Sequence, residues 1–571
     1  MFLAEKTDIL KDFLAISRWE SAVTILIFIT LQISLWIFLK KIKLKFMYRV
    51  LIGLGIGLVY GLSLQAIIGF PDQNAYKDYE NSSDNLYWVY ELKVWAEFFS
   101  KIFINGVKLL TIPIVFIAMF KITAKPSSKN VGIITIKGIG LLLLNVAFAF
   151  VVTFALGMLT NVGKVEGLSV FDNNTNSEKG KSLVPLPSII WGYLPDNFFS
   201  TMAASSIIPV MVVGALAGLS VKILSKRKSV EMEAVRKAMD TGWDIIISIL
   251  MTFMKFMPLA VMSMITVSIV TRPIGMLAVI GKVIGVGYLG ILISIGWLTL
   301  LIFLSGMKVS GWWKSAWRPL IQGFATQSSN ATLPVTIDTI KNDLKVGEVA
   351  ANTIGPISTT MGLIACAGVQ AGLATSILWT GTDSSSVVHE MGFIGFFLIS
   401  LLVTIIASLG IAGVPGTATV VTVGVIGGIG FPGFTDSVLA FIAPLDGLFD
   451  MGRTGANVLG AVAVAPIVAK SEGLIEQDSP LLGYKGILKQ NLILSKKKTK
   501  EAYIENLQNI KKTYATKVSD KEITKDLKEQ YNLEKLEALK ELENSYNVDR
   551  ANLKEAFIDQ IASYKKGENI E

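Results

Sequence analysis

Two carboxylates, a guanidinium and a carboxamide stand together in DGLFDMGRTGAN, residues 446–457, between the apolar runs FIAPL and VLGAVAVAPIVA. Asp446, Asp450, Arg453 and Asn457 are spaced i, i+4, i+7 and i+11, which puts all four on one stripe of a single helix. Even the most lenient scales put the cost of a charge at the bilayer centre at about 2.5–3.5 kcal/mol, so the stripe faces inward. Inward-facing charges mark either a substrate or ion path, here one suited to a charged guest, or an ion-pair staple in which the aspartates neutralise Arg453.

The elements that must hold such a stripe are membrane helices. Of 571 residues, 52% are hydrophobic and 17% charged, mean hydropathy is +0.55, and the charges fall into a few blocks, the pattern of an all-α polytopic membrane protein. One cysteine, Cys366, excludes an intrachain disulfide framework, and one histidine, His389, leaves no ordinary zinc or iron site. A hydrolase needs a nucleophile beside a base, which a single histidine in a loop does not provide, so no enzyme and no cofactor are expected. The net charge of +9 comes from loop lysines and arginines and reads as membrane orientation, not nucleic-acid binding.

In chain order, an uncharged run from Ser21 to Leu39 is followed by Lys40, Lys41, Lys43, Lys45 and Arg49, which mark the cytoplasmic side and place the N-terminus outside. Further spans are expected near Val50–Gly69, Trp95–Phe120, Gly138–Leu159, Phe198–Val221, Trp243–Ile269 and Gly275–Leu304, with a polar external loop near 163–190. Gly53, Gly57 and Gly61, four apart, indicate a close helix contact. The basic blocks return to one side each time and leave the C-terminus cytoplasmic.

Beyond Arg318 the pattern changes. GFATQSSNATLPV is too short and too polar to span, and GIAGVPGTATVVTVGVIGGIGFPG, residues 410–433, is apolar but studded with glycine and proline. Irregular backbone at membrane depth survives only inside protein or beside a water-filled cavity, and two interrupted segments around full spans point to a substrate site built from re-entrant hairpins.

QSSNATLP at 327–334, AGVPGTA at 412–418 and DMGRTGAN at 450–457 resemble, in order and spacing, the first hairpin, second hairpin and last helix of the dicarboxylate/amino acid:cation symporters, the glutamate-transporter family. GVKLLTIPIVF at 106–116 and SSIIPVMVVGALAG at 205–218 are similar to its earlier helices. The resemblance covers about residues 50–470 and implies a glutamate-transporter-like fold with two re-entrant helical hairpins, here with an extra N-terminal span and a charged C-terminal helix. It implies an elevator-type mechanism, a homotrimer in contact with membrane lipid, a small amino-acid substrate and no nucleic acid.

Carried over by position, the resemblance implies a substrate site of Ser328, Ser329, Cys366, Val414, Ala418, Asp446, Asp450, Arg453, Thr454 and Asn457. Ser329 and Asn457 meet the α-carboxylate, Asp450 the α-ammonium and Arg453 a side-chain carboxylate, beside Asp446. Val414 and Ala418 close the second hairpin over the ligand. Where sodium-binding relatives show Asn-Met-Asp-Gly-Thr, this chain has Gly362 and Ile364 at the asparagine and aspartate, and Ala461 stands where a second aspartate is expected. A missing carboxylate costs several kcal/mol of buried cation binding, which leaves one site made mostly of backbone carbonyls, at Thr360, Ser408, Leu409 and Ile411. One sodium ion or a proton is therefore the expected co-transported cation.

ACAGVQAGLA, residues 365–374, is similar to the family's L-cystine uptake branch. Cystine has an amino-acid head at each end, matching Asp450 and Asn457 at one and Arg453 and Asp446 at the other, with Cys366 facing the pocket or packing as a small apolar residue. The alternatives are an acidic amino acid or dicarboxylate (aspartate, glutamate, succinate) and, in a different class, an ion channel. The organisation expected is 1–49, extra helix and basic loop; 50–318, scaffold and trimerisation helices with part of the transport domain; 319–470, transport core; and 471–571, a charged cytoplasmic tail read as a solvated helix or a short coiled coil. The setting is a multi-pass protein of the inner cell membrane. Arg453→Ala is expected to abolish uptake of substrates with a second carboxylate and to spare small neutral amino acids. Parallel uptake of both classes checks this, because a structural role lowers both equally.

Overall fold

The structure, a computed structural model, describes residues 13–42, 44, 46–71, 73–76, 79–124, 129–164, 191, 194–203, 207–271, 276–384, 386–411, 413–518 and 525–566. Most of the expected 163–190 loop, and Ala412 of the second motif, lie outside these. Every named element is helical. The longer helices are α1 Trp19–Lys41, α2 Phe46–Ile67, α3 Tyr87–Ala124, α4 Lys129–Leu159, α5 Ile207–Leu224, α6 Ser229–Met254, α7 Met257–Val270, α8 Met276–Leu304, α9 Val309–Thr326, α10 Ser329–Asp338, α11 Glu348–Ser358, α12 Gln370–Gly381, α13 Phe393–Ala407, α14 Thr417–Gly428, α15 Asp446–Glu472, α16 Tyr484–Val518 and α17 Lys525–Lys566. Among the described residues seven helical segments are long and apolar enough to cross a membrane, or eight if one bent pair is a single span.

Two compact units result: Met1–Leu298 with Ala316–Thr336 and Ile354–Val462, and Thr299–Ser315 with Ile337–Thr353 and Ala463–Glu571. In the first, the glycine stripe of α2 packs on α7. A Cβ at Gly57 would come 2.5 Å from the Met262 carbonyl, and one at Gly61 3.0 Å from Ile269 Cβ, so only glycine allows this approach. The expected span Trp243–Ile269 is instead α6 and α7 bent by 50°. Pro258 in the first turn of α7 explains the break, because proline lacks the amide that would continue the α6 ladder.

Helix α1 lies ahead of every motif quoted above, yet polar contacts seat it on its neighbours. Glu91 of α3 is fully buried and accepts from the Ser17 amide at 2.8 Å and from the Ser21 hydroxyl. Gln32 donates to Ser263 Oγ at 2.8 Å and to the Leu259 carbonyl, and Tyr60 donates to the Thr24 carbonyl at 2.7 Å. The carboxylate sits just before the first turn of α1, where free amides and the helix dipole favour an anion.

Two segments differ from the other spans. Ile364–Gly381 and Pro432–Glu472 have 89% and 83% of their apolar windows buried, against 28–39% for the rest, so they lie inside protein. The segments read as interrupted are broken as expected. Helix α9 stops at Thr326, Gln327 takes a left-handed φ of 54°, and α10 begins at Ser329; the chain after α13 passes through a turn at Ser408–Gly410 and Pro415 to Gly416, φ 82°, before α14.

His389, expected in a loop, is helical instead. It lies in a one-turn helix, Val387–Glu390, half-buried, with its ring 4.2 Å from that of Trp379 and Nε2 3.2 Å from Thr382 Oγ1. In the second unit the charged tail is not one solvated helix but two packed helices, α16 and α17, with Tyr503 and Tyr546 stacked at 4.5 Å.

Glu91→Ala leaves the buried Ser21 hydroxyl and the part-exposed Ser17 amide without their acceptor and is expected to cost about 1–3 kcal/mol. Thermal unfolding of the detergent-solubilised chain measures it; Glu91→Gln, which keeps one acceptor, loses less.

Candidate functional site

Helix α15 begins at Asp446, directly after a turn at Ala443–Leu445 containing Pro444, and its first three turns carry the polar stripe. Asp446, Asp450, Arg453, Thr454 and Asn457 are 1–3% exposed. Arg453 Nη2 donates to Asp446 Oδ1 and, at 3.2 Å, to the Asp446 carbonyl, and lies 3.7 Å from Asp450 Oδ1. Its Nη1 donates to Gln370 Oε1, and its guanidinium lies 5.7 Å from the Phe449 ring centre. Toward Asp446 this is the staple that the spacing allowed.

Toward Asp450 it is not. Asp450 Oδ2, Asp446 Oδ2 and Arg453 Nε are buried and have no hydrogen-bond partner among the described residues. Such orphans cost about 1–3 kcal/mol each, more when charged, and they cluster at the centre of the stripe.

The other groups converge there. Asn457 Oδ1 accepts the Ala365 and Cys366 amides at 2.9 and 3.3 Å, and its Nδ2 donates to Cys366 Sγ at 2.9 Å. The sulfur lies 4.0 Å from Asp450 Oδ1, so Cys366 does face the stripe. The Gly416 amide lies toward the Asp450 carboxylate. The tips of the two broken segments meet: the Gly413 carbonyl accepts from the Asn330 amide and from Ser328 Oγ, both at 3.0 Å. A Cβ at Gly413 would come 2.8 Å from Ser329 Cβ, so glycine is required for the contact. Ser329, Val414 and Ala418 are buried around this junction.

Two glutamines and a threonine join the site without having been singled out from sequence. Gln370 holds Arg453 and donates from Nε2 to Thr422 Oγ1 on α14 at 2.8 Å, linking three helices. Gln327, at the left-handed break, donates to the Gly447 carbonyl at 3.1 Å, and its Oε1 is buried without a partner among the described residues. An amide inside an otherwise apolar span, as in AGVQAGL, was the available signal for Gln370.

No group of three or more His, Cys, Asp or Glu that could hold a metal occurs among the described residues. The carbonyl set is different in kind. Gly362, φ 61°, donates its amide to the Ser408 carbonyl at 2.8 Å, which draws the turn holding Ser408 and Leu409 up to the chain just after Thr360. The Thr360 hydroxyl donates to the Ile357 carbonyl at 3.2 Å, and Ile411 is buried.

The family model described as the sodium:dicarboxylate symporter family matches residues 46–471. Among curated proteins, the L-cystine uptake protein TcyP of Bacillus licheniformis is 25% identical over 468 residues, 80% of this chain and 96% of its own length. TcyP of Bacillus subtilis is 25% identical over 465 residues, 79% and 95% of the two chains, and TcyP of Bacillus anthracis 23% over 456 residues, 77% and 93%.

Removing one partner of the buried pair, Asp446→Ala, is expected to cost about 3–5 kcal/mol of stability. Gln370→Ala removes a neutral acceptor from the same guanidinium and costs less. Chemical unfolding of both variants in detergent ranks them.

Proposed function

The chain belongs to the sodium:dicarboxylate symporter family, and from that premise we propose that it imports an amino acid with a charged group at each end, L-cystine first, together with one cation. It is a multi-pass membrane symporter and not an enzyme. The observation that carries the reading is the Arg453 guanidinium flanked by two buried aspartates, each with an oxygen unpartnered among the described residues, near the junction of the two broken segments. Opposite charges held a few ångströms apart complement a doubly headed zwitterion, with Asp450 and Asn457 at one head and Arg453 and Asp446 at the other.

In this reading Asp450 takes an ammonium and Arg453 a carboxylate, exchanging Gln370 for it. Asn457, Ser328, Ser329 and Thr454 complete the near end. Cys366, Val414 and Ala418 form the small apolar wall. Names of relatives support cystine, as does Cys366 beside Asn457 and Asp450. The cation is one sodium ion on the carbonyls of Thr360, Ser408, Leu409 and Ile411, or a proton. Residues 327–334 and 412–418 are the tips of two re-entrant hairpins. Residues 319–470 form a transport core that moves elevator-fashion against a trimeric scaffold drawn from 50–318. Residues 1–49 add an extra helix to that scaffold, and 471–571 form a cytoplasmic tail. The setting is the inner cell membrane with the N-terminus outside. Positive coupling arises if the second hairpin closes only over a filled site.

The Arg453 guanidinium also favours a second reading, an acidic amino acid or dicarboxylate. A channel requires a continuous polar lining, whereas the polar groups here form one buried seam.

Proteoliposomes holding the full chain, assayed with cystine, aspartate, glutamate, serine and succinate, with and without a sodium gradient and at two pH values, test the proposal. Saturable cystine uptake, accelerated by one of the two gradients, is expected. Uptake of aspartate or succinate with cystine inert replaces it by the second reading, and non-saturating flux by a channel.

A further inference from the structure

Residues 485–500 contain six lysines and no Asp or Glu. They lie beyond the family-matched residues, on the first half of α16 in the second unit. Lys485, Lys489, Lys496 and Lys500 fall at i, i+4, i+11 and i+15, within one narrow stripe of the helix.

The packing places the start of this stripe beside the ends of two apolar helices. Two spans end in this unit, at Leu304 and Glu472. Their ends are joined, since Lys470 Nζ donates to the Ser305 and Gly306 carbonyls at 2.7 and 2.8 Å. The start of α16 is fastened to the same place. Gln490 Nε2 donates to the Lys470 carbonyl at 2.9 Å, the Lys308 amide donates to the Leu481 carbonyl at 2.8 Å, and Gly473 packs on Ile493 and Leu494. The lysine stripe therefore begins beside the ends of two long apolar helices.

Little neutralises them. Among the described residues only Lys497 of the six has an ion-pair partner, Glu472 at 3.8 Å, and Lys485, Lys489, Lys498 and Lys500 are exposed. Of the carboxylates close by in sequence, Asp478 faces Lys345 at 3.8 Å, Glu476 lies two residues before it, and Glu501 and Glu505 follow in the next turns. Lys489 also lies within electrostatic reach of Lys470, which adds to the local excess.

We propose that this stripe binds the anionic headgroups of the bilayer in which the chain sits. Phosphate oxygens accept charge-assisted hydrogen bonds from ammonium groups, and a polybasic segment beside a span gains affinity with each lysine held within a Debye length, about 8–10 Å, of the surface. The proposal depends on the chain being a membrane protein and is independent of the substrate.

The test uses the full chain in detergent, with an environment-sensitive dye on Thr499→Cys, which borders the stripe; the native Cys366 is buried and reacts slowly. Short-chain phosphatidylglycerol is expected to give a saturable response that weakens as salt rises. Phosphatidylcholine and inorganic phosphate are expected to give none. Replacing Lys485, Lys489, Lys496 and Lys500 by Gln is expected to raise the half-saturating concentration roughly 100- to 1000-fold, while replacing them by Arg preserves it. Equal responses to the two lipids, a salt-independent response, or an unchanged midpoint in the Gln variant overturns the proposal, as does a response to phosphate alone, which assigns the site to free anions. Should the Gln variant fail to elute as a single species, the lipid comparison and the salt dependence still decide.

Discussion

A guanidinium inside an apolar protein cannot stay unaccompanied, and much of the central architecture follows from accompanying Arg453. Its charge is met by Asp446 on its own helix, by Asp450 one turn away at 3.7 Å, and by Gln370 from a second helix. Such a group is tolerated only where acceptors are held in place around it, so the two helices supplying them are also the two most buried of the apolar segments. The arrangement is incomplete in a specific way: three charged-group atoms at its centre lack partners among the described residues. Full pairing would make a structural staple. Partial pairing leaves polar capacity for a guest.

The broken segments are the second consequence. A continuous helix satisfies its own amides and carbonyls and has nothing to offer a ligand, whereas a helix interrupted at Gln327 or Gly416 frees backbone groups at its broken end. The two broken segments meet each other through Ser328, Asn330 and Gly413. The same interruptions that weaken each helix alone therefore assemble the site.

The additions outside the family-matched core follow the same economy of polar groups. Helix α1 is anchored by a buried carboxylate and by side-chain amide and hydroxyl contacts, of which the Gln32–Ser263 bond is fully buried. At the other end, α16 is held beside two span ends by hydrogen bonds to backbone carbonyls, and among the described residues only Lys497 of the six lysines in 485–500 has an acid partner.

Much was legible in the chain itself, because hydropathy and periodicity report on neighbours along one helix. The membrane class, the stripe of Asp446 to Asn457, the two interruptions and the close contact made by Gly53, Gly57 and Gly61 are all local signals, and α2 packs on α7 through those glycines. Other features were decided only in three dimensions. Gln370 lies 83 residues from Arg453 in sequence, and Asn457 lies 91 from Cys366, so nothing in local pattern links them. The bend before Pro258, the seat of His389 against Trp379 and the pairing of α16 with α17 depend likewise on what packs alongside. Sequence spacing sets which groups share a face of one helix; which faces meet, and so which charges are paired and which are left waiting, is settled by the packing of helices distant in the chain.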